Sequence, residues 1–215
     1  IIRNKTLINI LEFTVKKIYK YYDKVLVSSF SLKNILKART KDNRIEIFPN
    51  WADQLIESKK HKKNIDFKVD PNFLNIMYMG NVGEAQDFQT VVKCFEKLKN
   101  FRVRLYIIGG GRYKAKLQKL VNVRDLDSQV IFVAHQNLSN VYSYSLKADF
   151  LFLSLKNEKI FAHTLPAKLQ TYMSLGKPIL GMISGEANKL INDSNIGIAV
   201  DSGDYIKLAE EIKNI

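Results

Sequence analysis

From Phe73 onward the apolar residues fall into short runs separated by amphipathic stretches. FLNIMYM (73–79), VRLYIIG (103–109), VIFVA (130–134), DFLFLSL (149–155), PILGM (178–182) and IGIAV (196–200) each predict a strand. The intervening segments, roughly 87–99, 112–123, 139–146, 166–175, 186–192 and 204–213, predict helices. Six apolar strands alternating with helices imply an α/β fold: a parallel sheet covered on both faces. Ligands of such sheets bind beyond the carboxyl ends of the strands. The loops to watch are therefore 80–86, 109–112, 135–138, 156–166 and 183–186.

The N-terminal part has a shorter version of the same rhythm. Residues 4–22 predict a helix, with Leu7, Ile8, Leu11, Val15 and Ile18 at helical spacing. Lys24–Ser28 predicts a strand, Ser31–Arg39 a helix, and Arg44–Phe48 a strand stopped by Pro49. Leu7, Leu11, Val15 and Ile18 are expected to cover Val25, Leu26 and Ile47. The stretch ESKKHKKNIDFKVDPN (Glu57–Asn72) is polar and basic and reads as a linker. The expected organisation is thus an N-terminal piece over 1–56, a linker over 57–72 and one α/β domain over 73–215. About two strand–helix steps are too few for a complete N-terminal domain. The chain opens Ile1-Ile2-Arg3 without methionine, which reads as a piece of a longer protein.

Composition changes the picture in three places. The chain has 215 residues, 46% of them hydrophobic, enough to bury a sizeable core. One cysteine, Cys94, leaves disulfides out of the fold and suits a reducing compartment, the cytoplasm. His61, His135, His163 and Cys94 lie too far apart for a metal-binding spacing, so no metal is expected. The net charge of +13 is uneven: residues 1–68 hold 16 Lys+Arg against 7 Asp+Glu, the remainder 18 against 14. The basic excess belongs to the N-terminal third. It suits an anionic membrane surface, nucleic acid or an anionic substrate, or is simply a solvated surface.

Two glycine motifs fail their usual tests. GGGRYK (109–114) has Lys114 where a dinucleotide fingerprint needs its third glycine, and it follows the second strand of the unit. GKP (176–178) lacks the Ser/Thr of a phosphate loop and leads into a strand; Gly176 reads as a helix C-cap. LPAKLQTYMSLGKPILG (165–181) is more informative. Pro166 suits a first helical turn, and Thr164 just before it can cap. The free N–H groups of that turn form an anion site. Lys168 in the same turn is poorly placed unless an anion is bound there, since the dipole disfavours cations; otherwise it extends into water.

The ordered set FLNIMYMGNVGEAQDFQTVVKCF, VRLYIIGGGRYKAKLQ, VIFVAHQN, ADFLFLSL and LPAKLQTYMSLGKPIL resembles the C-terminal, nucleotide-sugar-binding Rossmann-like domain of family 4 GT-B glycosyltransferases. YDKVLVSSFSLKNILKARTKDNRIEIFPNWAD (22–53) resembles the end of that family's N-terminal Rossmann-like domain, of which residues 1–56 would be a remnant. Asn81 stands where most members carry arginine, Gln86 where they carry lysine, and His163 and Thr171 where many carry two glutamates. MGNVGEAQ, PNWAD and PAKLQTYM with GKPI are similar to L-fucosaminyltransferase-like enzymes of bacterial O-antigen and capsule assembly.

The resemblance implies a retaining transfer of a sugar, an N-acetyl-amino sugar by analogy, from a UDP-sugar to a lipid-linked saccharide acceptor. It implies no cofactor beyond the donor nucleotide and no metal, with the protein cytoplasmic or peripheral on the inner face of the membrane. Gly80, Asn81, Gly83, Thr164, Leu165, Pro166 and Lys168 would hold the donor diphosphate. His135, Gln136, Asn137 and Thr171 would meet base and ribose. Glu158 and His163 would face the donor sugar, and the catalytic groups stay unassigned. Activity would need a longer N-terminal segment. Two alternatives remain: an epimerase on the same architecture, and a non-enzymatic basic module. Tyr19, Tyr21 and Tyr22 among Lys16, Lys17, Lys20 and Lys24 suit nucleic acid or anionic lipid; lipid is the expected contact, and nucleic acid is not.

Overall fold

A computed structural model of the chain describes residues 4–40, 44–52 and 65–215. The chain divides into two compact units, Ile1–Asn50 and Trp51–Ile215. In the first, helix α1 (Lys5–Lys20) starts at Asn4, whose side chain accepts the N–H groups of Thr6 and Leu7. Strand β1 (Val25–Val27), helix α2 (Phe30–Thr40) and strand β2 (Ile45–Ile47) follow, and the two strands pair in parallel. The Arg44 guanidinium donates to the carbonyls of Tyr22 (2.6 Å) and Tyr19 (3.2 Å), holding the end of α1.

The expected cover over these strands is not formed. Leu7, Leu11, Val15 and Ile18 remain 41–44% exposed, and no residue of α1 is buried. Helical spacing shows that one side of α1 is apolar; it does not supply a surface to cover that side. Val27 and Ile45 alone are buried in the two short strands.

The second unit is built on six parallel strands: β3 (Leu74–Met79), β4 (Val103–Ile108), β5 (Val130–Val133), β6 (Phe150–Ser154), β7 (Ile179–Met182) and β8 (Gly197–Val200). Their spatial order is β5-β4-β3-β6-β7-β8. The chain starts in the middle, winds out to β5, returns to β6 beside β3 and winds out the other way. Such a reversal leaves a crevice at the carboxyl ends of the two central strands.

Alternate residues of each strand feed two cores, which is why the runs are largely apolar on both faces. Ile76, Tyr78, Leu105, Ile107 and Phe152 face α3 (Phe88–Glu96), α4 (Lys114–Val123) and α9 (Tyr205–Lys213). Met77, Met79, Tyr106, Ile108 and Leu151 face α5 (Leu138–Ser145), α7 (Ala167–Ser174) and α8 (Glu186–Asp193). Within the stretch read as a linker, 57–64 lies outside the described residues. Ile65, Phe67 and Val69 pack on the second core, with the Phe67 ring 5.3 Å from Tyr106 and 4.9 Å from Tyr144.

Candidate functional site

The two central strands pair only at Ile76–Phe150 and Met77–Leu151, so β3 and β6 part toward their carboxyl ends. The Tyr172 hydroxyl enters the opening and accepts the N–H of Met79 at 3.0 Å. This contact pins α7 to β3. Lys168, one turn earlier on the same face of α7, is thereby brought to the end of β3.

The loop after β3 is held from both sides. Gly80 N–H donates to Ile108 carbonyl (2.9 Å), Val82 N–H to Gly110 carbonyl (2.7 Å), and Tyr113 N–H to Val82 carbonyl (3.1 Å). It therefore lies backbone against backbone on the 109–111 loop. A Cβ on Gly109 (φ +151) would stand 2.0 Å from the Gly80 carbonyl oxygen, and one on Gly111 (φ +150) 2.3 Å from that of Val82. Only glycine allows this approach at these angles. Lys114, the residue that spoils the fingerprint, donates to the carbonyls of Gly109 (2.7 Å) and Val133 (2.9 Å) and so ties β4 to β5. On the other side Ser154 Oγ donates to the Gln86 carbonyl (2.5 Å), and Lys156 N–H to that of Ala85 (2.8 Å). Gln86 Oε1 accepts Gly83 N–H at 2.9 Å, closing the loop on itself.

Lys168 is the electrostatic centre of this arrangement. Its ammonium lies 3.5 Å from the centroid of the Tyr78 ring, and 2.9 Å from where a Cβ on Gly80 would be. The residue as a whole is half-buried, but its charged end is inside, and burial lowers its pKa from 10.5 to about 7. Among the described residues no carboxylate pairs with it. A cation kept out of water without a counter-ion is costly, and an anion arriving beside it would offset that cost.

Two details of the α7 start differ from expectation. Pro166 is the N-cap residue rather than the first helical one, with φ −63 and ψ 135. Thr164 does not cap α7: its hydroxyl donates to the carbonyls of Ile160 (2.9 Å) and Phe161 (3.2 Å). It closes a one-turn helix, α6 (Lys159–Ala162), that the sequence pattern had not shown. Leu165 packs on the second core. Gly176 takes φ +65 just after α7, as expected of its stop.

The structure gathers Gly80, Asn81, Gly83 and Lys168 at the crevice. Asn81 is exposed above two glycines: a Cβ on Gly83 would stand 2.9 Å from its Nδ2, and one on Gly111 2.7 Å from its Oδ1. His135, Gln136 and Asn137 follow β5, two strands from β3. His135 and Asn137 are exposed, while Gln136 Oε1 accepts from Asn140 Nδ2 at 3.1 Å. The Thr171 hydroxyl is turned back to the Ala167 carbonyl of its own helix. Glu158 is exposed at the start of α6, and His163 is half-buried at its end. The far end of α6 rests on the loop after β7, where a Cβ on Gly185 would meet the Ala162 carbonyl oxygen at 1.9 Å. Tyr78, Tyr172 and Ser154 were missed. Tyr78 and Ser154 are hydroxyls in largely apolar strands, which is the signal the sequence offered; Tyr172, in AKLQTYMS, carries no such signal. Among the described residues no three His, Cys, Asp or Glu side chains come together to hold a metal ion, and no helix is long and apolar enough to cross a membrane.

Residues 57–215 match the family Glycosyl transferases group 1. WcaI of Escherichia coli K12, which carries the name colanic acid biosynthesis glycosyl transferase, is 28% identical over 163 residues, 72% of this chain and 39% of its own length. The chain spans less than half the length of the curated relatives it matches. Among solved structures, a glycosyltransferase from Rickettsia africae superposes with a TM-score of 0.72 at 17% identity, covering 94% of this chain and 56% of that one. Anabaena Alr3699/HepE, solved in complex with UDP and glucose, superposes with a TM-score of 0.70 at 13% identity, covering 89% and 53%. At these identities the likeness establishes the GT-B fold.

Proposed function

Because this chain belongs to the family Glycosyl transferases group 1, we propose that it forms the donor-binding part of an enzyme that transfers a sugar from a UDP-sugar. The donor diphosphate sits between the Gly80–Gly83 loop and the first turn of α7. One observation carries this placement: Lys168 holds an ammonium inside the protein, beside a glycine backbone and a helix N-terminus, with no carboxylate among the described residues to balance it. A diphosphate supplies the missing charge. As the sugar–phosphate bond breaks, negative charge grows on the leaving group, and Lys168 with the α7 dipole stabilises it. That positive charge is already in place, so the reading includes no divalent metal.

Neighbouring strands lie about 5 Å apart, so the loop after β5 stands about 10 Å from the one after β3. An extended nucleoside diphosphate spans that distance, placing its base at His135–Asn137. Glu158 and His163, on the short helix after β6, border the crevice from the other side and are assigned to the sugar. HepE's complex with UDP supports UDP as the nucleotide, and WcaI's name supports a surface-polysaccharide acceptor. We assign retention at the anomeric carbon and an N-acetyl-amino sugar on a lipid-linked acceptor at the inner face of the cytoplasmic membrane. The basic N-terminal third would meet anionic lipid there. The chain itself is assigned donor binding, not turnover.

The test is calorimetry with UDP-, GDP- and ADP-sugars in EDTA, on wild type and Lys168→Ala. Wild type should bind the UDP-sugars, and the variant should bind them about 10–100-fold more weakly, the range of a lost charge-assisted contact of about 1.5–3 kcal/mol. Binding that needs Mg²⁺ or Mn²⁺, or equal affinity in both proteins, refutes the diphosphate site. Sugar transfer by the chain alone refutes the division of labour.

A further inference from the structure

We propose that Tyr78 is a positioning residue for the donor diphosphate: its ring seats the Lys168 ammonium while its hydroxyl fixes the backbone of the Gly80–Gly83 loop. The inference rests on the reading of Lys168 given above. Tyr78 belongs to the core on one face of the sheet, and α7 packs on the other. Ammonium and ring meet where β3 and β6 part, 3.5 Å from nitrogen to centroid. A lysine stem has four rotatable bonds, and on an open surface its end would turn to water. The face of an aromatic ring attracts it electrostatically and gives it a single resting place. The ring itself is fixed, being wholly buried and edge-on to Phe88 at 4.8 Å and 83°.

The other end of the same side chain reaches the second half of the site. The Tyr78 hydroxyl donates to the Asn81 carbonyl at 2.5 Å, in the middle of the loop whose backbone faces the phosphates. Burial raises its pKa, so it keeps its proton to donate. A buried hydroxyl needs a partner in any case, so the choice of a loop carbonyl and the seat given to the ammonium are what mark the position. Here one side chain sets the separation between a cation and a backbone cradle that come from different elements. Among the described residues, Tyr78 from β3 and Gly80 from the first loop lie against the Lys168 ammonium, while Tyr172, one turn later on α7, is engaged at Met79. No carboxylate among the described residues competes for the ammonium.

The probe is UDP-N-acetylglucosamine, titrated calorimetrically into the whole chain with EDTA from pH 6 to 9. Wild-type affinity should fall as pH rises through about 7, as free Lys168 loses its proton. Tyr78→Leu removes the ring's attraction for the ammonium. It should move that fall downward by about one pH unit, read by extending the titration to pH 5, and weaken binding at pH 6 about tenfold. Tyr78→Phe keeps the ring and should leave the fall where it is, with a loss of about threefold from the loosened loop. In a Lys168→Met background, Tyr78→Leu should cost no more than that threefold. A fall at the wild-type pH in Tyr78→Leu, or effects of Tyr78→Leu and Lys168→Met that simply multiply, overturns the positioning role. If Tyr78→Leu does not fold, a displaced fall in Tyr78→Phe overturns it instead. Should wild type not bind, or Lys168→Met bind as wild type does, the Lys168 reading fails and this inference with it.

Discussion

Replacing Lys168 by methionine should make the free protein more stable while weakening its binding of nucleotide about 10–100-fold. Methionine keeps an unbranched stem of similar reach and discards the charge. The lysine pKa drops from 10.5 to about 7 on folding. At about 1.4 kcal/mol for each tenfold change, this corresponds to at most ~5 kcal/mol against the charged form. Water and relaxation around a half-buried group reduce that figure, and the Tyr78 ring returns about 1–2 kcal/mol, leaving a net gain of about 1–2 kcal/mol for methionine. The gain depends on pH in a defined direction. Below about pH 7 the lysine is charged in both folded and unfolded chains, and the penalty is full. Between about 7 and 10.5 the folded chain has lost the proton that the unfolded chain keeps, so wild-type stability rises with pH. Urea unfolding of both proteins at pH 6 and pH 9 reads this directly. Lys168→Met should be the more stable at pH 6 and lose much of its lead at pH 9. A variant less stable at pH 6, or a lead that does not change with pH, would refute the claim that an uncompensated cation is held inside.

Two further substitutions probe the backbone around it. Gly109→Ala places a methyl group 2.0 Å from the Gly80 carbonyl oxygen at φ +151. It should cost at least about 3 kcal/mol in urea unfolding and weaken UDP-sugar binding more than tenfold; wild-type affinity would contradict the loop-on-loop packing. Tyr172→Phe leaves the buried Met79 N–H without its partner at the opening of the sheet. A loss of about 1–3 kcal/mol is expected, seen as a melting temperature lower by about 2–10 °C, and an unchanged melting curve would contradict the pinning of α7.

The larger outlines were readable from the order of residues. All six strands of the main sheet and the helices between them lie where the apolar runs and their breaks place them, because strands buried on both faces have no polar side to blur the pattern. The α7 stop at Gly176 was equally plain. The short helix α6 was not, since four residues carry too little periodicity to register. Leu7, Leu11, Val15 and Ile18 illustrate another limit: spacing defines the apolar side of α1 but says nothing of what lies against it. At the site, Lys168 stood out for its place in a first turn. Its exclusion from water depends on Tyr78, ninety residues earlier, and on the parting of β3 from β6, which no local pattern encodes. Thr164 had the right residue type for a cap, yet its hydroxyl served the helix behind it, because Pro166 took the capping position.

The packing of one glycine loop on another also bears on how such a chain changes under mutation. Gly109 and Gly111 are required by the shape of the backbone whether or not a sugar nucleotide is ever bound. A descendant that lost its substrate would keep them, since any replacement would damage the fold itself. Lys168 is in the opposite position: without a diphosphate to neutralise, its charge only lowers stability, and drift would remove it early. If Lys168 serves a diphosphate as proposed, its retention beneath intact glycines would distinguish a ligand-binding lineage from one that had lost its substrate, and the glycines alone would not.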